Sequence, residues 1–320
     1  MGEFELIRRY FSTLTVSTKG VALGIGDDAA ILEVVAGEQL VVTVDTSNAD
    51  VHFPSDADAF SIGYRALAVN LSDLAAMGAT PRWITLSLTL PSIDEGWVLQ
   101  FARGLGQLAN EHAVALVGGD TTRGALAVSI QAMGTAPAGY ALKRDGAQPG
   151  DLVYASGSIG DAAAGLVYYR DAQAFSCDEA EREYLVARYL RPTPRVALGS
   201  ALRGIATSCI DISDGLLADV GHIASCSGVG ISIAADSLPA SNALLALSQQ
   251  QRWSYQLSGG DDYELCFTVP PSRAAALHVL AAGLGVRVTC VGAVAIGSGV
   301  ECLDVAGKPI TVERAGFEHF

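Results

Sequence analysis

Five groups of acidic residues carry the chemistry this chain could do: Asp27 and Asp28 in GIGDDAAIL, Asp45 in LVVTVDT, Asp73 in NLSDLAAMG, Asp120 in LVGGDTTRG, and Asp211 with Asp214 in CIDISDG. The second, fourth and fifth follow apolar runs that read as buried strands. That predicts a carboxylate at each strand's end, beside Gly, Ser or Thr that lets a backbone approach a ligand. Gathered carboxylates repel, and a bound hard cation such as Mg²⁺ is the usual way to hold them together. A lone Asp after a strand is more simply a turn former or helix cap, and Asp73, Asp161 or Asp214 taken singly fits that role. Capping does not explain GGDTT, where two glycines precede the acid and two hydroxyls follow. Backbone that surrounds a phosphate and its metal has that composition.

The elements that must position these acids can be read coarsely. Residues 3–14 have an amphipathic helical pattern, 40–44 read as a strand, and 56–78 as a long Ala/Leu-rich helix ending at Gly78. Strands are predicted at 83–90, 113–119 and 126–136, with a helix over 95–112. Residues 139–151 are rich in Gly and charge, and Pro149 lies near their end. They are the best domain boundary on offer, between an N-terminal domain 1–138 and a C-terminal domain 149–320. Beyond it the pattern resumes with strands at 151–157, 207–213 and 263–269 and helices at 160–170 and 215–228. Helices and hydrophobic strands mixed in both halves predict a two-domain α/β or α+β enzyme.

Composition bounds the partners. The chain has 320 residues, half of them hydrophobic, and a net charge of −14 with only three lysines, Lys19, Lys143 and Lys308. Nucleic acid and anionic membrane surfaces are therefore not expected partners. An anionic substrate would approach with help from divalent cations held by the aspartates. No apolar run is long enough to cross a membrane, and residues 1–11 do not form a secretory signal. The six cysteines read as buried reduced thiols, which fits a cytoplasmic location. There is no G-x-x-x-x-G-K-[ST], so a P-loop is excluded; protein-kinase landmarks are missing, and no Ser-His-Asp or Cys-His arrangement can be assigned. GLGQLA at 104–109 lies inside a helical pattern and reads as a helix-packing stripe rather than a dinucleotide fingerprint.

GIGDDAAIL, VVTVDT followed by His52-Phe53, ALAVNLSDLAAMGATPRW, LVGGDTTRG, LRPTPR, IDISDGLLADVGHI, LSGGDDYELCFTV and GFEHF together resemble the thiamine-monophosphate kinase family, of the aminoimidazole-ribotide-synthetase-like superfamily. The resemblance runs nearly end to end and in order. It implies ATP as co-substrate, transfer of the γ-phosphoryl to thiamine monophosphate, and several Mg²⁺ ions. It also implies a homodimer whose N-terminal domains pair their sheets, each C-terminal domain being an α+β layer. The matching positions imply Asp28, Asp45, Asp73, Asp120 and Asp211 as the acids that hold bridging ions. Asp27, Thr43, Val44 and Asp214 would be further oxygen ligands. Gly119, Asp120, Arg144 and Ser213 would lie against ATP, and His52 and Asp261 would contact the thiamine moiety.

Two departures from the family pattern stand out. Asp261 occupies a position where many members have Glu, which shortens its reach by one methylene. At the position where an aromatic ring often stacks on the thiamine, this chain has Arg314; either Phe317, three residues on, or the Arg314 guanidinium could stack. Within the superfamily, selenophosphate synthetase would want a reactive Cys near the N-terminus, and the hydrogenase-maturation dehydratase a C-terminal Cys. The first cysteine here is Cys177 and the last residue is Phe320. From another class, a nucleotide- or metal-binding regulator without turnover would have lost a metal-bridging carboxylate, and none is lost.

Overall fold

The computed structural model describes residues 3–175, 177–312, 314, 316 and 317. They divide into two compact units, residues 1–74 with 79–139 and residues 75–78 with 140–320. Both mix helices with sheet, as the sequence predicts.

The first unit is built on a four-stranded sheet. Its strands are β3 (Glu38–Asn48), β4 (Thr80–Leu90), β5 (Ala115–Arg123) and β6 (Ala127–Pro137), in the spatial order β3-β6-β4-β5. A short hairpin of β1 (Val21–Leu23) and β2 (Ile31–Leu32) precedes them. Alternation along the strands sends Ile84, Leu86, Leu88, Val128, Ile130 and Ala132 to one buried face. Each large apolar side chain taken from water there contributes on the order of 1.5–3 kcal/mol. Helix α2 (Ala59–Ala76) buries Ile62, Leu67, Leu71 and Leu74. Helix α3 (Glu95–Glu111) begins at Asp94, whose carboxylate accepts from the amides of Gly96 and Trp97. The two helices cross so closely that a Cβ on Gly104 would stand 1.9 Å from the Phe60 carbonyl oxygen, and one on Gly63 2.2 Å from that of Phe101. Gly104, the first glycine of GLGQLA, is thus a packing glycine.

Helix α1 (Glu3–Leu6) passes into one π-helical turn, Ile7–Phe11, instead of running to residue 14. The segment after it is captured by tertiary bonds: Asn110 Oδ1 accepts from the Val16 amide and Thr15 Oγ1 from the Leu116 amide. Those contacts require an extended backbone that local periodicity does not announce.

The second unit carries a six-stranded sheet in the order β12-β9-β11-β7-β10-β8. Its strands are β7 (Leu152–Ser156), β8 (Ser208–Ile212), β9 (Gly230–Ala234), β10 (Glu264–Val269), β11 (Val288–Ala295) and β12 (Gly299–Leu303). Pairing is antiparallel except between β12 and β9. The helices are α4 (Asp161–Arg170), α5 (Glu179–Leu190), α6 (Val196–Leu202), α7 (Leu216–Ser227), α8 (Asn242–Leu245), α9 (Gln249–Ser258) and α10 (Ala274–Gly283). Val153, Ile210, Ile212, Val220, Ile223, Ile231, Leu257 and Val291 join in its main core. Helix α5 escaped the sequence reading because its pattern is highly charged, yet it opens on a capping box between Asp178 and Glu181. All six cysteines are free thiols; Cys209, Cys266 and Cys302 are buried, whereas Cys226 and Cys290 are exposed. Among the described residues no helix is long and apolar enough to cross a membrane.

Candidate active site

The aspartates do not sit where the strands stop. Asp45 is the eighth of eleven residues in β3, Asp120 the sixth of nine in β5, and Asp211 the fourth of five in β8. The Thr46–Asn48 tail keeps pairing with β6, from Ser129 to Ala127, and the Thr121–Arg123 tail keeps pairing with β4. Polar, β-branched tails extend a strand when a neighbour offers its ladder, which is a long-range effect.

In the first unit, Thr43 and Asp45 lie two residues apart on β3 and face α2. Thr43 Oγ1 donates to Asp73 Oδ2 at 2.5 Å, and the Asp45 amide donates to Asn70 Oδ1 at 3.2 Å. Asn70 and Asp73 are one helical turn apart, so the same strip of α2 meets both strand residues. Asn70 is fully buried and anchors itself by donating to the Ala66 carbonyl. Val44, 64% exposed, turns to the opposite face and could offer only its carbonyl.

Register separates Asp120 from this group. Asp45 aligns across the sheet with Ile130, Leu86 and Gly119, and the neighbouring row runs Thr46, Ser129, Ser87, Asp120. Asp45 and Asp120 therefore occupy opposite faces and opposite edges of one sheet, three inter-strand spacings or roughly 14 Å apart. The face bearing Asp120 is lined with hydroxyls: Thr46 and Ser129 are bonded at 2.7 Å, Thr89 and Thr122 at 3.1 Å. Gly119 is required by close approach, since a Cβ there would stand 1.9 Å from the Leu86 carbonyl oxygen. Asp27 and Asp28 are exposed in the loop between β1 and β2, where the Asp28 amide donates to Asp27 Oδ1. His52 follows β3 in a tight turn, and its Nδ1 accepts from the Asn48 amide at 3.0 Å. That bond fixes the neutral imidazole with its proton on Nε2.

In the second unit the Ile212–Gly215 loop between β8 and α7 collects the remaining positions. Asp211, 3% exposed, is the penultimate residue of β8. Ser213 and Asp214 follow it, and their amides, with that of Gly215, point to Asp219 Oδ2 at 3.0–3.1 Å. Asp214 does not cap α7, whose N-cap position is Gly215. The Asp219 carboxyl is pushed up to about 7 by burial and by the neighbouring Asp214 charge, with the three amides pulling the other way. Asp261 has φ 72° and Tyr263 φ 51°, both in the left-handed region that non-glycine residues rarely enter. The Asp261 amide donates to the Ser213 carbonyl at 2.8 Å, and Tyr263 OH donates to Asp261 Oδ1 at 3.2 Å. Phe317, 51% exposed, is tied to the same loop by its amide, which donates to the Asp214 carbonyl at 3.0 Å. Arg314 is exposed; Glu318 to Phe320 of GFEHF lie outside the described residues. Arg144 is exposed and its carbonyl accepts from Ser227 Oγ, at the far end of α7 from Ser213. The length of α7 puts its backbone about 18 Å from that loop.

Beneath Asp261 lies a polar core absent from the sequence reading. Glu264 is wholly buried and accepts from Arg195 Nε at 2.6 Å and Nη2 at 2.5 Å, Arg188 Nη2 at 3.0 Å and Ser156 Oγ at 2.5 Å. Burial would push its pKa up, but the hydrogen bonds and charge of Arg195, then Arg188 and Ser156, hold it below the ordinary range. Asp262 accepts from the Gly160 and Ala162 amides at 2.5 and 3.1 Å. Its carboxyl is pushed well up by burial, against the opposing pull of Arg188 and those amides.

Among the described residues, no three His, Cys, Asp or Glu side chains converge as a ready-made metal cage. The side chains of Thr43 and Asp73, which do meet, and of Asp45, whose backbone bonds Asn70, offer oxygen to a cation. Mg²⁺ prefers such donors, keeps several waters, and is commonly held by one or two carboxylates together with substrate phosphates. The donor set therefore fits Mg²⁺ and does not fit a soft metal.

Comparison with known proteins agrees with this architecture. The family model for the AIR synthase related protein N-terminal domain matches residues 26–136, and that for the C-terminal domain matches residues 148–302. Thiamine-monophosphate kinase of Salmonella typhimurium is 47% identical over 324 residues, covering 100% of this chain and 98% of the relative. The crystal structure of thiamine-monophosphate kinase from Stenotrophomonas maltophilia K279a superposes with a TM-score of 0.87 at 50% identity, covering 94% of this chain and 96% of that one. AaThiL complexed with AMPPCP and TMP matches with a TM-score of 0.79 at 34% identity, over 92% of each chain. With both domain models matched in order and full-length identity far above what fold similarity alone produces, the chain belongs to the thiamine-monophosphate kinase family of AIR-synthase-related enzymes.

Proposed function

We propose that this enzyme transfers the γ-phosphoryl group of ATP directly, in line, to the phosphate of thiamine monophosphate, giving thiamine diphosphate and ADP. The observation that carries the reading is the meeting of β3 and α2, where Thr43 Oγ1 bonds the Asp73 carboxylate and the Asp45 backbone bonds the Asn70 side chain, which brings the two acids' segments side by side. Joining two phosphates brings like charges together, and phosphoryl transfer leaves a protein mainly alignment and charge neutralisation. Mg²⁺, when bound, supplies that neutralisation, with Asp28, Asp45, Asp73, Asp120 and Asp211 as principal ligands and Asp27, Thr43, Val44 and Asp214 as further oxygen donors. Gly119 and Asp120 lie against ATP phosphates, Ser213 donates to the nucleotide, and Arg144 adds a cation. His52, through its Nε2 proton, and Asp261 orient the thiamine moiety, over which Phe317 stacks. The domain limits 1–138 and 149–320 assign ATP, Mg²⁺ and dimer contacts to the first, and the α+β layer to the second.

The working unit is a homodimer that pairs the N-terminal sheets of two copies, in the cytoplasm. Two features support this. Leu40, Val42 and Val44 leave an apolar row 47–64% exposed on edge strand β3. Asp45 and Asp120 also lie on opposite faces of one sheet, whereas a second sheet can bring one copy's acid to the other's.

The test is incubation with ATP, Mg²⁺ and either thiamine monophosphate or free thiamine, with products separated by chromatography. Thiamine diphosphate should form from the monophosphate only, and initial-rate plots should intersect. Equal turnover of free thiamine, or parallel plots with a phosphorylated protein, would overturn the reading.

A further inference from the structure

The Ile212–Gly215 loop is engaged along both edges of its backbone. On one side the amides of Ser213, Asp214 and Gly215 converge on a single oxygen, Asp219 Oδ2, at 3.0, 3.1 and 3.1 Å. On the other side three carbonyls accept from three different amides: Ile212 from Tyr263 and Ser213 from Asp261, both at 2.8 Å, and Asp214 from Phe317 at 3.0 Å. Close approach is secured by glycines. A Cβ on Gly260 would stand 2.4 Å from the Ser213 carbonyl oxygen, one on Gly316 2.8 Å from that of Asp214, and one on Gly215, at φ 131°, 2.9 Å from the Ser258 carbonyl carbon. Asp219 itself is 2% exposed and lies in the first turn of α7. An ordinary helix cap precedes its helix; here the acid reaches back from inside the helix to hold the loop ahead of it.

From this geometry we infer that Asp219 is a positioning residue that sets the nucleotide side and the thiamine side of the site through one rigid loop. The inference rests on the roles proposed above for Ser213 and Asp214 on one side and for Asp261 and Phe317 on the other. The residue is buried, and the bonds its Oδ2 accepts come from the loop's own amides. It fixes three consecutive peptide planes, and those planes fix the carbonyls from which Asp261, Tyr263 and Phe317 hang. Asp261 and Tyr263 have left-handed backbones that persist only where surroundings over-determine them, and two of the carbonyl bonds supply that constraint. Loss of Asp219 leaves three adjacent amides without their acceptor and lets both sides shift together. A residue that merely stabilised α7 would change the unfolding temperature and leave both Michaelis constants of the folded enzyme unchanged.

The experiment compares the full-length wild type with Asp219→Ala and Asp219→Asn, at a temperature where circular dichroism shows each folded. Steady-state kinetics are measured for both substrates, and backbone hydrogen exchange is measured without ligand. Asp219→Ala should raise the KM for ATP and for thiamine monophosphate together and lower kcat/KM for each by about 100-fold, the usual cost of misplacement near an ångström. The amides of residues 213–215, 261 and 317 should lose protection while Leu265–Val269 of β10 keeps it. Asp219→Asn retains an acceptor oxygen and should recover at least part of the activity, with faster exchange confined to the same amides. Unchanged KM values, or wild-type protection at those amides in the folded variant, would overturn the inference. If Asp219→Ala does not fold, Asp219→Asn decides by the same exchange pattern. If the wild type makes no thiamine diphosphate, the substrate reading fails by itself, and the exchange measurement still decides whether Asp219 holds the loop.

Discussion

Replacing Glu264 by Gln keeps the shape of a fully buried side chain and deletes the charge that two guanidinium groups share. Arg195 approaches it with two nitrogens at 2.5 and 2.6 Å and Arg188 with one at 3.0 Å; their side chains are 20% and 10% exposed. Removing one partner of a buried ion pair costs about 3–5 kcal/mol, because the remaining charge is left uncompensated. Water reaches Arg195 to some extent, so the lower half of that range applies. For a folding unit of this size each kcal/mol moves the midpoint by about 2–4 °C, so thermal unfolding followed by circular dichroism should shift down by roughly 6–16 °C. Replacing the whole group by apolar residues, Glu264→Leu with Arg188→Met and Arg195→Met, should recover much of the loss. A Glu264→Gln midpoint within about 2 °C of wild type would refute the argument, because each kcal/mol moves it by at least that much.

Three further outcomes follow from named contacts. Asp73→Asn preserves the oxygen that accepts from Thr43 and removes charge, so activity should fall by orders of magnitude while the ligand-free unfolding midpoint stays nearly unchanged; full activity would reduce Asp73 to a local hydrogen-bond acceptor. Gly104→Ala gains about 1 kcal/mol of helix propensity but drives a Cβ to 1.9 Å from a backbone oxygen, so stability measured by urea titration should drop by about 1–3 kcal/mol net; Gly106→Ala, whose tightest contact at 2.7 Å is the Leu14 side-chain methyl rather than backbone, should cost less. His112 has its pKa lowered by burial, opposed by Glu111, so just below pH 6.5 the unfolded chain binds more protons than the folded one. Stability should therefore be lost as the pH falls from about 6.5 through the folded-state value, and His112→Gln should flatten that step in a series of unfolding midpoints.

What the sequence made legible was local. The apolar runs ahead of Asp45, Asp120 and Asp211 and the long α2 pattern are carried by neighbours in the chain, and the structure contains each of them. What it hid was set by pairing across distance. Glu264 and Arg188 are 76 positions apart, and nothing within either helix or strand declares the other. Asp219 reads as one more acid on an amphipathic helix until the fold buries it under the Ser213 loop. Asp120 is the clearest case. Alternation alone says that it faces away from Gly119, but only the register with Ser87, Ser129 and Thr46 shows that it also faces away from Asp45. Two motifs that look like parts of one acidic cluster are thereby placed on opposite faces of one sheet. For both to serve one phosphoryl transfer, the sheet of a single copy is insufficient, and the exposed row Leu40, Val42 and Val44 on the edge that carries Asp45 offers a surface a second copy can cover. Leu40→Glu with Val42→Glu should then yield a folded monomer by light scattering that has lost transfer activity; an active monomer would mean that one chain holds the complete site.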